Sequence, residues 1–265
     1  MKIDLRDILL YIDCPIKYLI KQKYKDPIQL QLSDDFDDAI HKTLLFYYYK
    51  RMNQQPCGIT ALKKKWGELW YELGSKEEFA FREGQGIWRD TRRRMELRGV
   101  YIIDAFYKNE NNLKSVPLIV NTQSPIQIGD DIVMVNIELV RESKDKKIEV
   151  VDFRTDLLPP KLFGTSFDIA LTAQAYAFRN NFNAVEDRII YYYLGIICGN
   201  SGTTRGTKEI ITTRNAEHMA KFEYTIHAAI NGIENEIFYP RYSKACDKCL
   251  YLGKCNAIKF KKVKK

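Results

Sequence analysis

The feature that most constrains this chain is a run of three cysteines near its end, with the spacing Cys246-x2-Cys249-x5-Cys255. Two residues between the first pair let both sulfur atoms turn toward one metal centre, and the third cysteine needs only a short excursion to join them. Centres of this kind usually take four protein ligands, and Cys14 is the natural fourth. The sequence therefore predicts one metal site that ties the start of the chain to its end.

Spacing alone leaves the metal open. An iron–sulfur cluster of the 4Fe–4S type is favoured, zinc is the alternative, and unrelated surface cysteines are a third interpretation. Pro15 follows Cys14 at the start of a predicted helix, where amide groups can donate to cluster sulfur. The lysines that would offset the negative charge of four thiolates are Lys17, Lys244, Lys248 and Lys254. Cys57 and Cys198 have no partner in this pattern and are interpreted as ordinary core or loop residues.

The charge balance favours an anionic partner. The 265 residues carry 42 Lys and Arg against 34 Asp and Glu, a formal net charge of +8. Nucleic acid is the first candidate and a membrane surface the second, although a merely soluble basic protein has the same balance. No stretch is apolar enough to cross a bilayer, and the first residues do not resemble a signal peptide. We therefore expect a cytoplasmic protein without a membrane partner, in which six cysteines indicate metal binding before disulfides.

Hydrophobic periodicity and turn residues predict a mixed order of helices and strands. The predicted helices are 4–22 (interrupted at Pro15), 33–52, 60–74, 84–109, 166–180 and 214–235. The predicted strands are 116–121, 125–128, 132–140, 147–153 and 188–197, and 200–207 reads as a polar loop. This order predicts a single α/β domain over 1–258, with a helical part over about 1–110, a mixed core over about 111–200, a final helix and cysteine cluster over about 210–258, and a basic tail over 259–265.

Two acidic residues interrupt neighbouring apolar strands. Glu138 lies in VNIELV and Asp152 in EVVDFRTD. If the strands pair as a hairpin, both carboxylates can project to one side and form an oxygen site for Mg²⁺ or Mn²⁺. Arg154 points to the same face as Asp152 and can contact a phosphate, or it can pair with the carboxylates in a salt-bridge network that also includes Arg141. His41 on its own would more often be a core histidine than a ligand.

Taken together, these segments resemble the PD-(D/E)XK nuclease superfamily. The nearest branch is the RecB-like one with an iron–sulfur cluster, which includes AddB-type nuclease domains and Cas-four-type CRISPR exonucleases. YIDCPIKYL is similar to the family's first-cysteine segment, and IHKTL to its helix with a metal-binding histidine. VNIELV is similar to the strand G-x-I-D, EVVDFRTD to the strand ending D-x-K-T, and ACDKCLYLGKC to the C-x2-C-x5-C segment.

The resemblance implies a restriction-endonuclease-like α/β core with a central mixed sheet, a helical insertion and an iron–sulfur staple that joins the N- and C-terminal segments. His41, Glu138, Asp152 and the backbone carbonyl of Phe153 would hold Mg²⁺ or Mn²⁺. The catalytic set would be Glu138, Asp152, Arg154 and Tyr176. The resemblance also implies hydrolysis of DNA ends or single strands, with a helicase or other nucleic-acid-processing partner, in DNA repair, recombination or a CRISPR-type complex.

Two departures from the family pattern predict attenuated or lost catalysis. Arg154 stands where the family has lysine, and arginine is a poor proton donor or acceptor. Thr172 stands where the family's Q-x-x-x-Y has glutamine, while Gln174 is expected on another helix face. Lys161 is a candidate for a migrated lysine. The alternatives are therefore a catalytically degenerate DNA-binding or scaffold subunit, and a zinc-stapled protein-interaction module.

Basic residues interleaved with aromatic ones are candidates for DNA contact. One group, near Trp88, is Arg89, Arg92, Arg93 and Arg94; the other, before Trp66, is Lys63, Lys64 and Lys65. Such a pattern suits a groove that follows the DNA backbone. A solvated helix face has the same pattern.

Overall fold

The computed structural model describes residues 1–24, 32–74, 85–155, 168–199, 202–249 and 251–258. The helices, in chain order, are α1 (Leu5–Asp13), α2 (Pro15–Tyr24), α3 (Leu32–Met52), α4 (Ile59–Gly74), α5 (Gln85–Leu113), α6 (Ile169–Phe182), α7 (Ala216–Glu234) and α8 (Leu252–Ala257), with a 3₁₀ turn at Lys244–Lys248. The strands are β1 (Lys2–Asp4), β2 (Val116–Ile128), β3 (Asp131–Glu142), β4 (Ile148–Arg154), β5 (Arg188–Gly199) and β6 (Gly202–Thr212).

The strands form one mixed sheet in the order β1-β3-β4-β5-β6, and β2 lies along the other edge of β3. β3 pairs antiparallel with β2 and β4, while β4 pairs parallel with β5. Parallel strands need a long crossover, and here the connection contains α6. A mixed α/β fold with a central mixed sheet is therefore confirmed.

Helices cover both faces of the sheet because strands β2 to β5 carry apolar side chains on both sides. One core joins β1, β2 and β3 to α1, α6 and α7. The other joins β3, β4 and β5 to α3, α4 and α5. Burial of these side chains at about 25 cal/mol per Å² is the main favourable term of folding.

The sheet opens between β3 and β4. On one side of β3, β1 pairs from Ile132 to Met134, and β4 pairs only from Leu139 to Glu142. Beyond Val151, β4 leaves β3 but continues along β5, with Asp152 opposite Tyr191. Glu138 therefore lies where none of the described strands pairs with β3 on that side, and Asp152 lies on the strand that has turned away.

Several sequence predictions are confirmed and others are corrected. Pro15 does separate two short helices, α1 and α2. The prediction of a loop at 200–207 was wrong, because β6 runs from Gly202 and pairs antiparallel with β5. The two short strands predicted at 116–121 and 125–128 are one continuous edge strand, β2, which can contain proline because edge positions do not need every N–H. β1 was not predicted.

Lys161 and the basic tail 259–265 lie outside the described residues. Among the residues that the structure does describe, no helix combines the length and the apolar character needed to cross a membrane.

Candidate functional site

Two buried acidic residues, Glu138 of β3 and Asp152 of β4, lie where these strands separate. Glu138 is 6% exposed and Asp152 is 7% exposed. Carboxylates this deep in an apolar sheet are stable only if they are hydrogen-bonded or paired with cations. The partners of each acid therefore define the site.

The side chain of Glu138 makes a hydrogen bond to β4 where the backbone pairing between β3 and β4 has ended. Its Oε2 accepts a hydrogen bond from the N–H of Phe153 at 2.8 Å, so the side chain joins β3 to β4 where their backbones have separated. Its Oε1 lies 2.5 Å from Nδ1 of His41, which α3 presents to the sheet. The His41 ring also meets the Phe153 ring edge-on, with 6.3 Å between the ring centroids.

Asp152 is held by Gln174 and Arg154. Gln174 donates from Nε2 to Oδ1 of Asp152 at 2.6 Å, and Arg154 donates from Nε to Oδ2 at 2.5 Å. Gln174 also accepts the backbone N–H of Glu138 at 2.9 Å. One amide side chain therefore bridges the two separated strands, and every oxygen of the two carboxylates has a donor.

Arg154 connects the site to the start of α6. Its guanidinium lies 3.7 Å from Asp168, which caps α6 by accepting the N–H of Leu171 at 2.9 Å. It also lies over the ring of Tyr191, 5.4 Å from the ring centroid. The arginine thus has two carboxylate partners and an aromatic one.

The charges of the site are balanced in the metal-free chain. Burial lowers the pKa of His41, but attraction to Glu138, the hydrogen bond with it, and the charges of Asp152 and Asp37 together outweigh burial and raise the pKa to about 9. His41 is therefore protonated at neutral pH. Burial raises the pKa of Asp152 to about 6, and repulsion from Glu138 adds to this while Arg154 opposes it. Two cations, His41 and Arg154, thus face two carboxylates.

The donor set fits a divalent ion in its chemistry. Two carboxylates and one imidazole are ligands that Mn²⁺ accepts, and carboxylates suit Mg²⁺. Within the described ranges, no three His, Cys, Asp or Glu side chains are grouped so that they could hold one metal ion. Coordination would therefore require His41 to lose its proton and the carboxylates to turn from their present partners.

Gln174 corrects the sequence prediction for α6. It was expected on a helix face other than that of Thr172 and Tyr176, and that other face is the one that meets the site, where Gln174 bonds to the Asp152 carboxylate and the Glu138 N–H. Thr172 instead donates to the carbonyl of Asp168 at 2.7 Å and accepts from Arg214 at 2.7 Å. The signal for Gln174 was one amide side chain among the small and apolar residues of the segment ALTAQAYAF. Seven residues of α6 are buried, so more than one of its faces touches other elements.

Tyr176 is not brought to the acids. Its ring packs against Phe222 of α7, with 5.3 Å between the centroids. Burial, together with a hydrogen bond to Glu223, raises its pKa to about 12. Tyr176 therefore packs at the α6–α7 interface.

The sequence did not predict a further set of contacts that hold the end of β4 beside the two acids. The hydroxyl of Thr155, directly after β4, donates to Asp37, which lies one turn before His41 on α3. Arg98 of α5 donates to the carbonyl of Thr155 and lies over the ring of Phe36, 4.8 Å from its centroid. These contacts fix the end of β4 against α3 and α5.

The structure brings the two segments that carry the predicted cysteines into contact, but within the described residues their thiols are not grouped so that they could hold a metal ion as they stand. Cys14 lies at the joint between α1 and α2, where its N–H bonds to the carbonyl of Leu10 at 2.9 Å. Cys14, Cys249 and Cys255 pack around one small apolar cluster. Burial raises the pKa of the Cys255 thiol, and the neighbouring sulfurs of Cys14, Cys249 and Cys246 raise it further.

Successive tight turns present the C-terminal cysteines. The N–H of Cys249 bonds to the carbonyl of Cys246 at 3.0 Å, and the N–H of Cys255 bonds to the carbonyl of Tyr251 at 2.8 Å. All four thiols are free and partly buried. Four cysteine thiols are a soft donor set whose chemistry suits zinc or an iron–sulfur cluster, and among the described residues they would have to turn toward one another to bind it.

The basic candidates for DNA contact differ in exposure. Lys64, Arg93 and Arg94 are exposed. Lys63 pairs with Asp104 at 2.8 Å, and Arg92 donates to the carbonyl of Trp70 at 3.1 Å. The side chain of Arg89 lies outside the described residues.

Comparison with known proteins adds a family to this geometry. The family model described as the PD-(D/E)XK nuclease superfamily matches residues 7–256. Among solved structures, the chain is similar to the crystal structure of SSO0001, with 14% identity and a TM-score of 0.39 over 82% of this chain and 95% of that one. It is also similar to a "putative exonuclease" from Eubacterium rectale, with 12% identity and a TM-score of 0.39 over 82% of this chain and 89% of that one. No curated protein matches the sequence.

Proposed function

Because the chain belongs to the PD-(D/E)XK nuclease superfamily, we propose that it is a metal-dependent DNA nuclease that acts on ends or single strands with attenuated activity. The observation that carries this proposal is the convergence of His41, Glu138 and Asp152 where β3 and β4 separate. Buried titratable groups from three elements, with the pKa values of His41 and Asp152 shifted from their ordinary values, are typical of functional sites, although buried ion-pair networks shift pKa values as well.

The metal would be Mg²⁺ or Mn²⁺, held by His41, Glu138, Asp152 and the backbone carbonyl of Phe153. A bound divalent ion lowers the pKa of a coordinated water and neutralises charge on a phosphate. Gln174 would keep Asp152 oriented, because it holds Oδ1 at 2.6 Å. The exposed Lys64, Arg93 and Arg94 would contribute contacts to the DNA backbone.

Attenuation follows from Arg154. Its guanidinium remains charged at all working pH values, so it can contact a phosphate through two N–H groups but cannot take a proton from the attacking water. A lysine in the same place can exchange a proton when its pKa is lowered by burial. Water activation would therefore lack a side-chain base at this position.

The second candidate is a catalytically degenerate DNA-binding or scaffold subunit. The pairing of Arg154 with Asp152 at 2.5 Å and with Asp168 at 3.7 Å favours it. This arginine neutralises the carboxylate that a metal would need. Either candidate would work in the cytoplasm, beside a helicase or another nucleic-acid-processing protein, as the RecB-like resemblance implies.

We also propose that Cys14, Cys246, Cys249 and Cys255 hold a 4Fe–4S cluster that staples α2 to α8, with zinc as the alternative. The packing of Cys14, Cys249 and Cys255 around one apolar cluster supports this. Protein purified without oxygen should be brown and contain iron. A colourless preparation that contains zinc would replace the iron–sulfur proposal with the zinc one.

Cleavage of end-labelled single- and double-stranded DNA with Mg²⁺ or Mn²⁺ tests the nuclease proposal. Asp152→Ala and the near-isosteric Asp152→Asn should lose cleavage, whereas the matched change of the exposed Asp130→Ala should keep it. Cleavage that is equal in wild type and Asp152→Asn would point to a contaminant and refute the proposal. DNA binding without cleavage in the wild type would support the scaffold subunit.

A further inference from the structure

A pocket of about 530 Å³ lies between the start of α6 and the first turns of α7. Its walls come from Ile169 and Thr172 of α6 and from the segment 217–225 of α7. Pockets that bind small organic groups usually enclose about 300–1,000 Å³, with mostly apolar walls and a few polar groups that fix orientation. The pocket is therefore large enough for one ring system, and none of the described residues that line it belongs to the acidic or the cysteine site.

The pocket adjoins the acidic site through the first turn of α6. Thr172, in the pocket wall, donates from its hydroxyl to the carbonyl of Asp168 at 2.7 Å. The Asp168 carboxylate lies 3.7 Å from Arg154, and Arg154 donates to Asp152 at 2.5 Å. Because one residue, Asp168, touches both the pocket wall and Arg154, a polymer whose backbone contacts Arg154 can place a neighbouring unit in the pocket.

The walls favour a flat, uncharged ring. Lys221 and Glu217 both line the pocket, but they pair with each other at 2.5 Å, so their charges offset each other. Phe222 is held in place by packing against Tyr176, with 5.3 Å between the ring centroids. Tyr224 is 77% exposed, so its ring is open to a stacking partner. Aromatic rings stack on such side chains without needing a net charge.

Polar groups of the pocket offer hydrogen bonds to the edge of such a ring. The N–H of Asn215 donates to Nδ1 of His218 at 3.2 Å, and the Asn215 side chain accepts the N–H of His218 at 2.9 Å. Because Nδ1 is the acceptor, the neutral imidazole carries its proton on Nε2, which can donate. The hydroxyl of Thr225 donates to the carbonyl of Lys221 at 2.7 Å, which leaves its oxygen as an acceptor. A ring with donors and acceptors along its edge, as in a nucleobase, suits these walls.

We propose that this pocket holds one unpaired nucleobase of a DNA strand whose backbone passes the acidic site, with the base stacked on Tyr224. This inference rests on the proposal that DNA is the substrate, and it names single strands as the preferred form. A base in a duplex must first be unpaired and unstacked at a cost in free energy, whereas a base of a single strand is already available. Every base has an aromatic face, so stacking in the pocket tolerates any sequence.

Binding without metal tests the pocket apart from catalysis. Fluorescence anisotropy in EDTA would compare a labelled oligothymidine of about 12 nucleotides with an abasic strand of the same length, which keeps the sugars and phosphates. We expect the wild type to bind oligothymidine about tenfold more tightly than the abasic strand, because stacking on the pocket requires a base. Tyr224→Ala should lose this preference, and Tyr224→Phe should keep it, since phenylalanine retains the ring.

Two further variants extend the test. Ala220 lines the pocket and is exposed, so Ala220→Leu fills part of the pocket without disturbing the core, and it should also reduce the preference for bases. Tyr49→Ala removes an exposed tyrosine of α3 that does not line the pocket, and it should keep the preference. Circular dichroism checks that each variant is folded, and affinity for a duplex of the same length should be equal in all of them.

The outcomes separate this inference from the nuclease proposal. If wild type and Tyr224→Ala prefer bases over abasic strand to the same extent, the pocket holds no base, even where the wild type cuts DNA. If the preference depends on Tyr224 but the wild type cuts nothing, the pocket stands and the nuclease proposal falls. Equal losses on duplex and single strand would overturn the inference, because Tyr224 would then contact the backbone. A wild type that binds no DNA removes both.

Discussion

The two candidate metal sites of this chain are built in opposite ways. At the acidic site, each oxygen of Glu138 and Asp152 already accepts a hydrogen bond from another element. At the cysteine site, the four cysteines form no disulfide bond, and the Cys246 sulfur has two long contacts, with the N–H of Ser243 at 3.5 Å and the carbonyl of Arg241 at 3.9 Å. The Tyr251 hydroxyl has no partner in the described part of the chain. Groups of the chain itself satisfy the oxygen atoms of the first site, whereas the sulfur atoms of the second have fewer hydrogen-bond partners among the described residues.

Charge explains the difference. In the acidic site the protonated His41 and Arg154 neutralise two carboxylates, so the metal-free state is stable as it stands. At the cysteine site, burial raises the pKa of the Cys255 thiol and the neighbouring sulfurs of Cys14, Cys249 and Cys246 raise it further, so this thiol keeps its proton at neutral pH unless metal displaces it. We therefore expect metal to act mainly on chemistry at the first site and mainly on folding at the second.

The largest expected effect is that of Cys255→Ser. Loss of one ligand should abolish metal binding and release the segment 241–258 from α2, because binding free energy at a structural metal site is folding free energy, on the order of 10 kcal/mol in small metal domains. Limited proteolysis should cut this segment in the variant and spare it in the wild type. The control is Cys57→Ser, in which the same change is made at a cysteine outside the cluster. A protected segment in metal-free Cys255→Ser would mean that apolar packing alone holds it.

The second effect concerns the bridge across the opened strands. Gln174→Met removes the acceptor for Glu138 N–H and the donor to Asp152, which should lower the free energy of unfolding by about 1–3 kcal/mol. Cleavage should fall about 10- to 100-fold, as for other residues that orient metal ligands. Denaturant titration and the DNA assay measure both, with the exposed Gln123→Met as control. Full activity in Gln174→Met would show that the acids need no bridge.

A smaller effect, an increase in cleavage rate, is expected from Arg154→Lys. Lysine restores a group that can exchange a proton, and we expect cleavage to rise about tenfold, below the 10²- to 10⁴-fold range of well-placed acid–base groups. The gain is limited because lysine cannot contact both Asp152 and Asp168 as the guanidinium does, and it loses the packing on Tyr191. Single-turnover rates with excess enzyme measure it, and Arg154→Gln should be slower than both. If Arg154→Lys cuts more slowly than the wild type, arginine is itself the working residue.

The smallest expected effect is the release of one proton from His41 when metal binds. The pKa of His41 is about 9 in the folded chain against an ordinary 6.5, so its contribution to stability is fully present below pH 6.5 and is lost as pH rises through 9. Metal needs the neutral imidazole, so Mn²⁺ affinity should increase with pH from 7 to 9, with about one proton released per ion. Calorimetry in buffers of different ionisation enthalpy counts that proton, and His41→Gln should release none. Equal heats in all buffers at pH 7.5 would show that His41 does not bind the ion.

Local patterns predicted the helices and central strands because these elements bury periodic apolar faces. They failed at β6, where Gly202, Gly206 and several threonines read as a loop. Pairing with β5 along its whole length overrode this weak local preference. The sequence prediction divided β2 into two strands for a similar reason. Its prolines suggested a break, but an edge strand can contain proline without breaking.

At the site, strand motifs and cysteine spacing identified residues whose neighbours are close in sequence. His41, 97 positions from Glu138, came from family resemblance, and its contact could not come from spacing. Gln174, Asp37 and Thr155 were missed because their roles depend on how α6 and α3 rotate against the sheet. Rotation is set by packing across long sequence separations, which a single-sequence pattern does not contain.

The docking of α1 against α7 has a consequence for synthesis. Tyr11 lies against Gly232, where an added Cβ would be 2.2 Å from the tyrosine hydroxyl, and it donates to the carbonyl of Ile237. During translation α1 is made more than 200 residues before this partner. At about 5–20 residues per second, its apolar face waits roughly 10–45 s for completion. Over that interval the nascent chain exposes a surface suited to chaperones, and slower translation would lengthen the exposure.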